Sequence, residues 1–359
     1  MSVPFSVLDL SPVVSGSTSA QALRNTLDLA RHTEALGYHR YWLAEHHAMP
    51  GIASSATAVL IGQVAAATSR MRVGSGGIML PNHAPMVVAE QFGTLEALYP
   101  GRIDLGLGRA PGTDQATARA LRRSPDALSV DDFPEQVHEL RSYFSPQSKV
   151  TPAAGNEPPV WLLGSSGYSA RLAGLLGLPF AFAHHFSAEN TLPALKLYRE
   201  SFRPSEALQH PYAMIAVSVT AAETDEEARE LAAPQALSFL RLRQGLPGPL
   251  PSPEETAAHP YTPIEREIIE SRLAGQVMGG PKTVRAQMDA LLERTRADEV
   301  MVVTSVYEHA DRLRSYGILA DLYGLDPKAR VAGTPGAGNA GAEDAATGRS
   351  GTEPAATGP

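Results

Sequence analysis

Short apolar runs alternate with amphipathic stretches along most of this chain, and that alternation constrains the fold more than any other feature. The runs are FSVLDL (5–10), YWL (41–43), RMRVGSGGIMLP (70–81), GRIDLGLGRAPG (101–112), PVWLLGSS (159–166), PFAFAHHF (179–186), AMIAVSVTA (213–221) and EVMVVTS (299–305). Helical periodicity separates them over 19–36, 54–68, 84–98, 131–144, 189–202, 225–243 and 282–296, with a last helix at 309–323. Runs of this kind, apolar on both faces, are those of parallel strands covered by helices on each side. Eight such units predict an α/β fold, a (β/α)8 TIM barrel, over a doubly wound sheet. The 359 residues fit one barrel domain, because α/β barrels often grow to this size as a single unit.

Two stretches break the alternation. GLPGPLPSPEETAAHPYTP (245–263) is too long and proline-rich for a plain connection. Loops of that kind are commonly lids or binding loops, so 245–275 is expected to form a mobile lid. From Val331 the chain is mostly Gly, Ala, Pro and Thr with no further bulky apolar residue. Such a segment buries too little surface to order itself. The expected organisation is a barrel domain over 1–328 and a disordered tail over 329–359.

Composition removes several function classes. The net charge of −8 argues against a nucleic-acid binder, which carries a basic stripe. With Cys 0, thiolate catalysis, disulfides and cysteine–zinc sites are excluded. No apolar run reaches the roughly 18 residues of a membrane span. MSVPFSVLDLSP lacks the basic and apolar regions of a signal peptide, which makes the cytoplasm the expected compartment.

Barrel enzymes place their chemistry at the carboxyl ends of the strands. Those ends carry Asp9, Glu45-His46-His47, the glycines of 74–80, Gly108-Arg109, Gly164-Ser165-Ser166 and His184-His185. Successive strand residues face opposite sides, so the two adjacent histidines after Glu45 have different surroundings. A metal held by Glu45, His46 and His184 lacks any supporting ligand spacing such as HExxH, and no metal is expected. GLGRAPG places its third glycine one residue late for a dinucleotide loop. Arg109 and the Ser165-Ser166 turn suit a phosphate, because a helix N-terminus offers unpaired N–H groups and an arginine fork pairs with phosphate oxygens. The same residues also suit a plain helix cap and a surface ion pair. Gly76-Gly77 inside a strand marks either a kink or a ligand pressed against the backbone.

Taken together, YWLAEHH, VGSGGIMLPNHAPMVVAEQFGTLEALYPGRIDLGLGR and PVWLLGSS resemble the bacterial luciferase-like monooxygenases, over about residues 3–325. The resemblance is to the single-chain members rather than to the light-producing heterodimer. It implies that reduced FMN lies across the top of the barrel, that O2 adds at its C4a position, and that the hydroperoxide so formed oxygenates a small organic substrate. His46 matches the family's catalytic, proton-transferring histidine, and Gly76 and Gly77 match a non-proline cis peptide under the flavin ring. Arg109 matches a phosphate-binding arginine, and Ser165, Ser166 and Ser169 match the phosphate-binding turn. A second phosphate arginine matches either Arg122 or Arg123.

The chain departs from the luciferase at two of these places. Ser165 replaces a glutamate, and His184 replaces a tryptophan near the flavin, which puts His184 on the substrate side and removes any implication of light or of a long-chain aldehyde. A separate flavin reductase is the implied source of reduced FMN. A homodimer is implied through the helices at 54–68 and 85–98, which are rich in small residues. The alternatives are an F420-dependent dehydrogenase of the same superfamily and a flavin-binding protein without catalysis.

Overall fold

Phe5–Asp9 is β1, a strand with every side chain buried. In this computed structural model the described residues are 3–110, 115–121 and 132–328. Thr18 caps the next helix, α1 (Ser19–Leu36), by accepting from the Gln21 amide, and Gly37 ends it with a φ of 92°. That glycine is obligatory: an added Cβ would stand 2.7 Å from the backbone of Asp326.

The chain continues through β2 (Arg40–Leu43), α2 (Thr57–Ala67), β3 (Arg72–Ser75), β4 (Ile78–Met79), α3 (Pro85–Leu98), β5 (Ile103–Gly108) and α4 (Gln115–Leu121). Then follow α5 (Phe133–Phe144), β6 (Val160–Gly164), α6 (Gly167–Leu176), β7 (Phe180–Phe182), α7 (Thr191–Ser201), β8 (Ala213–Ala221) and α8 (Asp225–Arg243). The last elements are α9 (Pro253–Ala258), α10 (Pro263–Ala274), β9 (Val277–Gly279), α11 (Pro281–Thr295), β10 (Glu299–Val303) and α12 (His309–Tyr323).

All pairings between named strands are parallel. The order β1-β2-β3-β5-β6-β7-β8 is closed by β10, which pairs with β8 on one side and β1 on the other. Val300 is the seam residue, opposite both Phe5 and Ile215. The result is the expected closed eight-stranded barrel ringed by helices. Outward side chains such as Val7, Tyr41, Val73 and Val300 pack under the helices. Inward ones (Leu8, Trp42, Trp161, Met214, Met301) fill the barrel itself, with Trp42 and Trp161 edge to face at 5.1 Å. The interior is therefore a plug rather than a channel.

Below that plug, at the amino ends of the strands, charge is buried in pairs. Arg40 contacts Asp104 at 2.8 Å and Glu299 at 2.9 Å, and Arg72 contacts Asp104 at 2.7 Å. Burial alone would raise the Asp104 carboxyl, but the two guanidinium groups hold it down at about 2. Removing one partner from such a network strands a buried charge, a loss of about 3–5 kcal/mol. This end of the barrel is a floor, and it leaves the carboxyl ends of the strands for chemistry.

Several boundaries differ from the sequence expectation. The run 70–81 is two strands, β3 and β4, broken at a cis Gly76–Gly77 peptide. The run 179–186 stops as a strand at Phe182, so His184 and His185 lie in a turn. The segment 245–275 holds two helices, α9 and α10, each started by a capping box (Ser252 with Glu255, Thr262 with Glu265). Its proximal part is also fastened to the β1–α1 connection. The Leu250 amide donates to the Val13 carbonyl at 2.9 Å, and the Ser15 amide donates to the Leu250 carbonyl at 2.8 Å. Helix α8 carries Pro234 internally, where periodicity alone showed only a helix. Arg122, Arg123 and the tail 329–359 lie outside the described residues.

Candidate active site

The carboxyl ends of the strands surround a cleft of about 210 Å³ that touches His46, Gly76, Arg109, Ser165, Ser166, Ser169 and His185. The floor of the cleft is Leu8, Trp42 and Met301, the top of the interior plug. A polar rim over an apolar floor is what a bound organic ring with a charged tail requires.

At one end stands the turn between β6 and α6. Gly164 ends β6, and a Cβ there would lie 2.5 Å from the Ser169 Cβ; the missing side chain lets buried Ser169 close against the strand end. Ser166 is the N-cap of α6 in extended conformation, yet its side chain makes no capping hydrogen bond. The first-turn N–H groups of α6 thus lack that partner, and the helix dipole points its positive end into the cleft. Arg109, the residue after β5, lies with its guanidinium 4.0 Å over the ring of Tyr168. These groups form an arrangement suited to a phosphate or another compact anion.

Across the cleft, strand alternation decides which histidine faces inward. Trp42 and Ala44 point into the barrel, and His46 continues that side into the cleft. Its backbone is held by a 3.1 Å hydrogen bond from the His46 amide to the Ser54 carbonyl. Glu45 and His47 take other directions. Glu45 Oε1 lies 2.8 Å from His47 Nε2 and 2.8 Å from His83 Nε2, and Oε2 accepts the Met79 amide at 3.2 Å. Burial alone would raise this carboxyl, but the hydrogen bonds from His47 and His83 keep it ionised and hold it at about 2. Among the described residues, Glu45, His47 and His83 bring ligand atoms within 4.8 Å of one another. The trio considered from sequence, Glu45 with His46 and His184, is not assembled.

The Gly76–Gly77 peptide follows β3, where the Gly76 amide donates to the Leu43 carbonyl at the end of β2 at 2.8 Å. A Cβ on Gly76 would stand 2.6 Å from Leu8 Cδ1, and one on Gly77 would stand 2.7 Å from the Gly106 carbonyl oxygen. No side chain fits at either position, so the backbone itself borders the cleft.

His184 does not border the cleft. Its Nδ1 meets the Thr191 hydroxyl at 2.7 Å, and its ring lines a neighbouring depression with Glu189. His185 borders the cleft instead, because β7 ends at Phe182 and the His185 amide then reaches across to the Ala216 carbonyl at 2.9 Å. Its Nδ1 donates to the same carbonyl at 3.0 Å, and burial pushes the ring down to about 4, so it is neutral at pH 7.

A second chamber, about 480 Å³, opens off the cleft and shares Leu10, His46 and Phe186 with it. Its outer wall is Pro247, Gly248 and Leu250 from the fastened part of 245–275. His83, His185 and the chamber were not singled out from sequence. A histidine whose partner stands 38 residues away leaves no local signal. For His185, the doubled histidine was the signal, but the choice within the pair required the end of β7.

No helix among the described residues is long and apolar enough to cross a membrane. Comparison with known proteins gives a consistent result. A Bacillus subtilis protein, YvbT, itself uncharacterised, is 57% identical over 324 residues, 89% of this chain and 96% of the relative. A luciferase-like monooxygenase from Escherichia coli K12 is 48% identical, covering 89% of this chain and 97% of the relative. The crystal structure of apo-MsnO8 superposes with a TM-score of 0.84 at 40% identity, over 91% of this chain and 100% of that one. More distant structures share the fold alone. They include the FMN complex of the oxygenating component of 3,6-diketocamphane monooxygenase (TM-score 0.68, 17% identity, 89% of this chain and 97% of that one). An F420-dependent secondary alcohol dehydrogenase is another (TM-score 0.58, 16% identity, 90% of this chain and 98% of that one). Residues 3–299 match the family described as luciferase-like monooxygenase, and the chain belongs to that family.

Proposed function

We propose that this chain is a flavin-dependent monooxygenase that uses reduced FMN and O2 to oxygenate a small organic substrate. The observation that carries the reading is the convergence, in one cleft, of an anion seat at Arg109, Ser165, Ser166 and Ser169 with His46 across a side-chain-free backbone at Gly76–Gly77. A flavin mononucleotide has the matching parts, a phosphate on a short chain and a flat ring. Reduced FMN, when bound, supplies the electron pair with which one atom of O2 enters the substrate and the other leaves as water.

The residues of this chain do the rest. Arg109 and the first turn of α6 bind and orient the phosphate. The Gly76–Gly77 backbone and the plug below set the depth of the ring. His46 gives and takes the protons that oxygen transfer requires. Leu8, Trp42 and Met301 keep water from beneath the ring, and the wall at 247–250 restricts it from above. The electrons come from a separate flavin reductase.

The test is an anaerobic titration with reduced FMN and, separately, with reduced F420, followed by admission of air. Tight binding of reduced FMN with O2 uptake on aeration is the expected result. Binding of F420 alone, with no O2 uptake, would establish the dehydrogenase reading instead. Binding of either without turnover of any offered substrate class would favour a carrier.

A further inference from the structure

The outer chamber has an unusual balance of surfaces. Met49, Ile52, Phe239, Leu242 and Leu250 make it apolar, and among the described residues Arg272 is the one Asp, Glu, Lys or Arg side chain on its wall. That arginine is under-used. Its Nη1 donates to the His185 carbonyl, and the face of its guanidinium lies 4.7 Å from the Phe239 ring centroid. Its Nε is buried with no hydrogen-bond partner among the described residues. Burial lowers its pKa, and no carboxylate among the described residues offsets that loss. A buried N–H without an acceptor costs about 1–3 kcal/mol, so such a group is usually completed by something that binds.

We propose that the outer chamber seats an organic monoanion, an apolar body ending in a carboxylate, with the carboxylate taken by Arg272 and the apolar end directed toward His46. Its identification as the oxygenase substrate rests on the flavin reading above; the binding itself does not. A carboxylate satisfies Nε and adds a charge-assisted bond where the apolar wall excludes competing water. The shared border at Leu10, His46 and Phe186 lets a molecule anchored at Arg272 extend into the cleft. Neutral and cationic molecules of the same shape leave the arginine unmatched, and this makes Arg272 the specificity-determining residue.

Calorimetric titration with octanoate, octanol and octylamine tests this, with and without oxidised FMN, while flavin binding is read separately by fluorescence quenching. Octanoate is expected to bind at least 10-fold more tightly than octanol, and octylamine more weakly than either. Arg272→Gln should abolish the preference while leaving octanol affinity unchanged. Leu242→Glu, at an exposed position on the chamber wall, should reverse it in favour of octylamine. Arg243→Gln, in the depression on the other side of Arg272, should change nothing. Equal affinities for octanoate and octanol in the wild type, or a preference that survives Leu242→Glu or is lost with Arg243→Gln, would overturn the assignment. Failure to bind FMN with the octanoate preference intact would overturn the flavin reading and leave this one standing.

Discussion

The guanidinium of Arg109 rests 4.0 Å above the ring of Tyr168, the second residue of α6. That stacking holds the arginine beside a helix N-terminus, so two sources of positive charge from different strand–helix units meet at one point. Arg109→Ala is therefore expected to weaken FMN binding by one to two powers of ten, the worth of a charge-assisted hydrogen bond at about 1.5–3 kcal/mol. Flavin fluorescence titration of a variant with an unchanged melting temperature checks it. Equal affinities would reduce the contact to packing.

His46→Ala should leave FMN affinity intact and lower turnover by about 10²–10⁴, the usual contribution of a general acid–base group. The measurement is product formed per flavin oxidised. A turnover equal to that of the wild type would leave His46 with a packing role alone.

The wall at 247–250 yields a different kind of expectation. Replacing 245–252 with a short glycine linker removes the Leu250–Val13 fastening and opens the outer chamber to water. More H2O2 should then be released per flavin consumed, with FMN affinity largely unchanged. Unaltered peroxide release would assign the segment to surface packing.

How much of this was legible beforehand follows the range of the interaction concerned. The barrel was legible because each unit announces itself locally, through apolar runs, caps such as Thr18 and stops such as Gly37. Inward placement of His46 follows the alternation of Trp42 and Ala44, which the chain keeps beyond the end of β2 at Leu43. His185 over His184 was not legible, because it depends on the Ala216 carbonyl of the neighbouring strand. The partners of Glu45 split the same way. His47 is two residues off, whereas His83 arrives only after a further strand and the glycine break. The helices α9 and α10 were hidden by prolines, which read as loop signals but sit in the first turn of each helix, where proline is welcome.

Acid should destabilise the protein in two stages. His39 and His185 are both held down to about 4, chiefly by burial, against an ordinary value of 6.5. The unfolded chain takes up these protons first, so stability is full above pH 6.5 and declines as pH falls from 6.5 toward 4. Glu45, held at about 2 against 4.5, adds a further loss between pH 4.5 and 2. Urea melts at pH 7.5, 6 and 5 should show a falling midpoint, and His185→Gln should flatten the fall. A midpoint constant over that range would contradict the buried neutral state.

The exposed faces of α2 and α3 predict a homodimer. Val59, Met86, Val87 and Leu98 are between 42% and 66% exposed, a density of apolar surface that usually marks a contact. The small residues of 54–68 and 85–98 divide. Ala65, Ala89 and Gly93 pack within the subunit, Gly93 against Ala153, whereas Ala56, Ala66 and Ala97 remain on the surface. Light scattering at micromolar concentration should give twice the chain mass, and Val59→Lys with Leu98→Lys should halve it. A wild-type monomer would refute the pairing.

The seam strand β10 has a consequence for how the chain is made. β1 and β8 are joined only through Glu299–Val303, and at about 5–20 residues per second the ribosome needs roughly 15–60 s to reach it. Each strand, from its own synthesis until then, presents an open hydrogen-bonding edge, a surface prone to wrong pairing. A nascent chain stopped short of residue 299 would carry His46, Arg109 and Ser166 with no closed rim to hold them together. Chaperone engagement of arrested nascent chains should accordingly persist through synthesis of α11 and fall once β10 and α12 have cleared the exit tunnel.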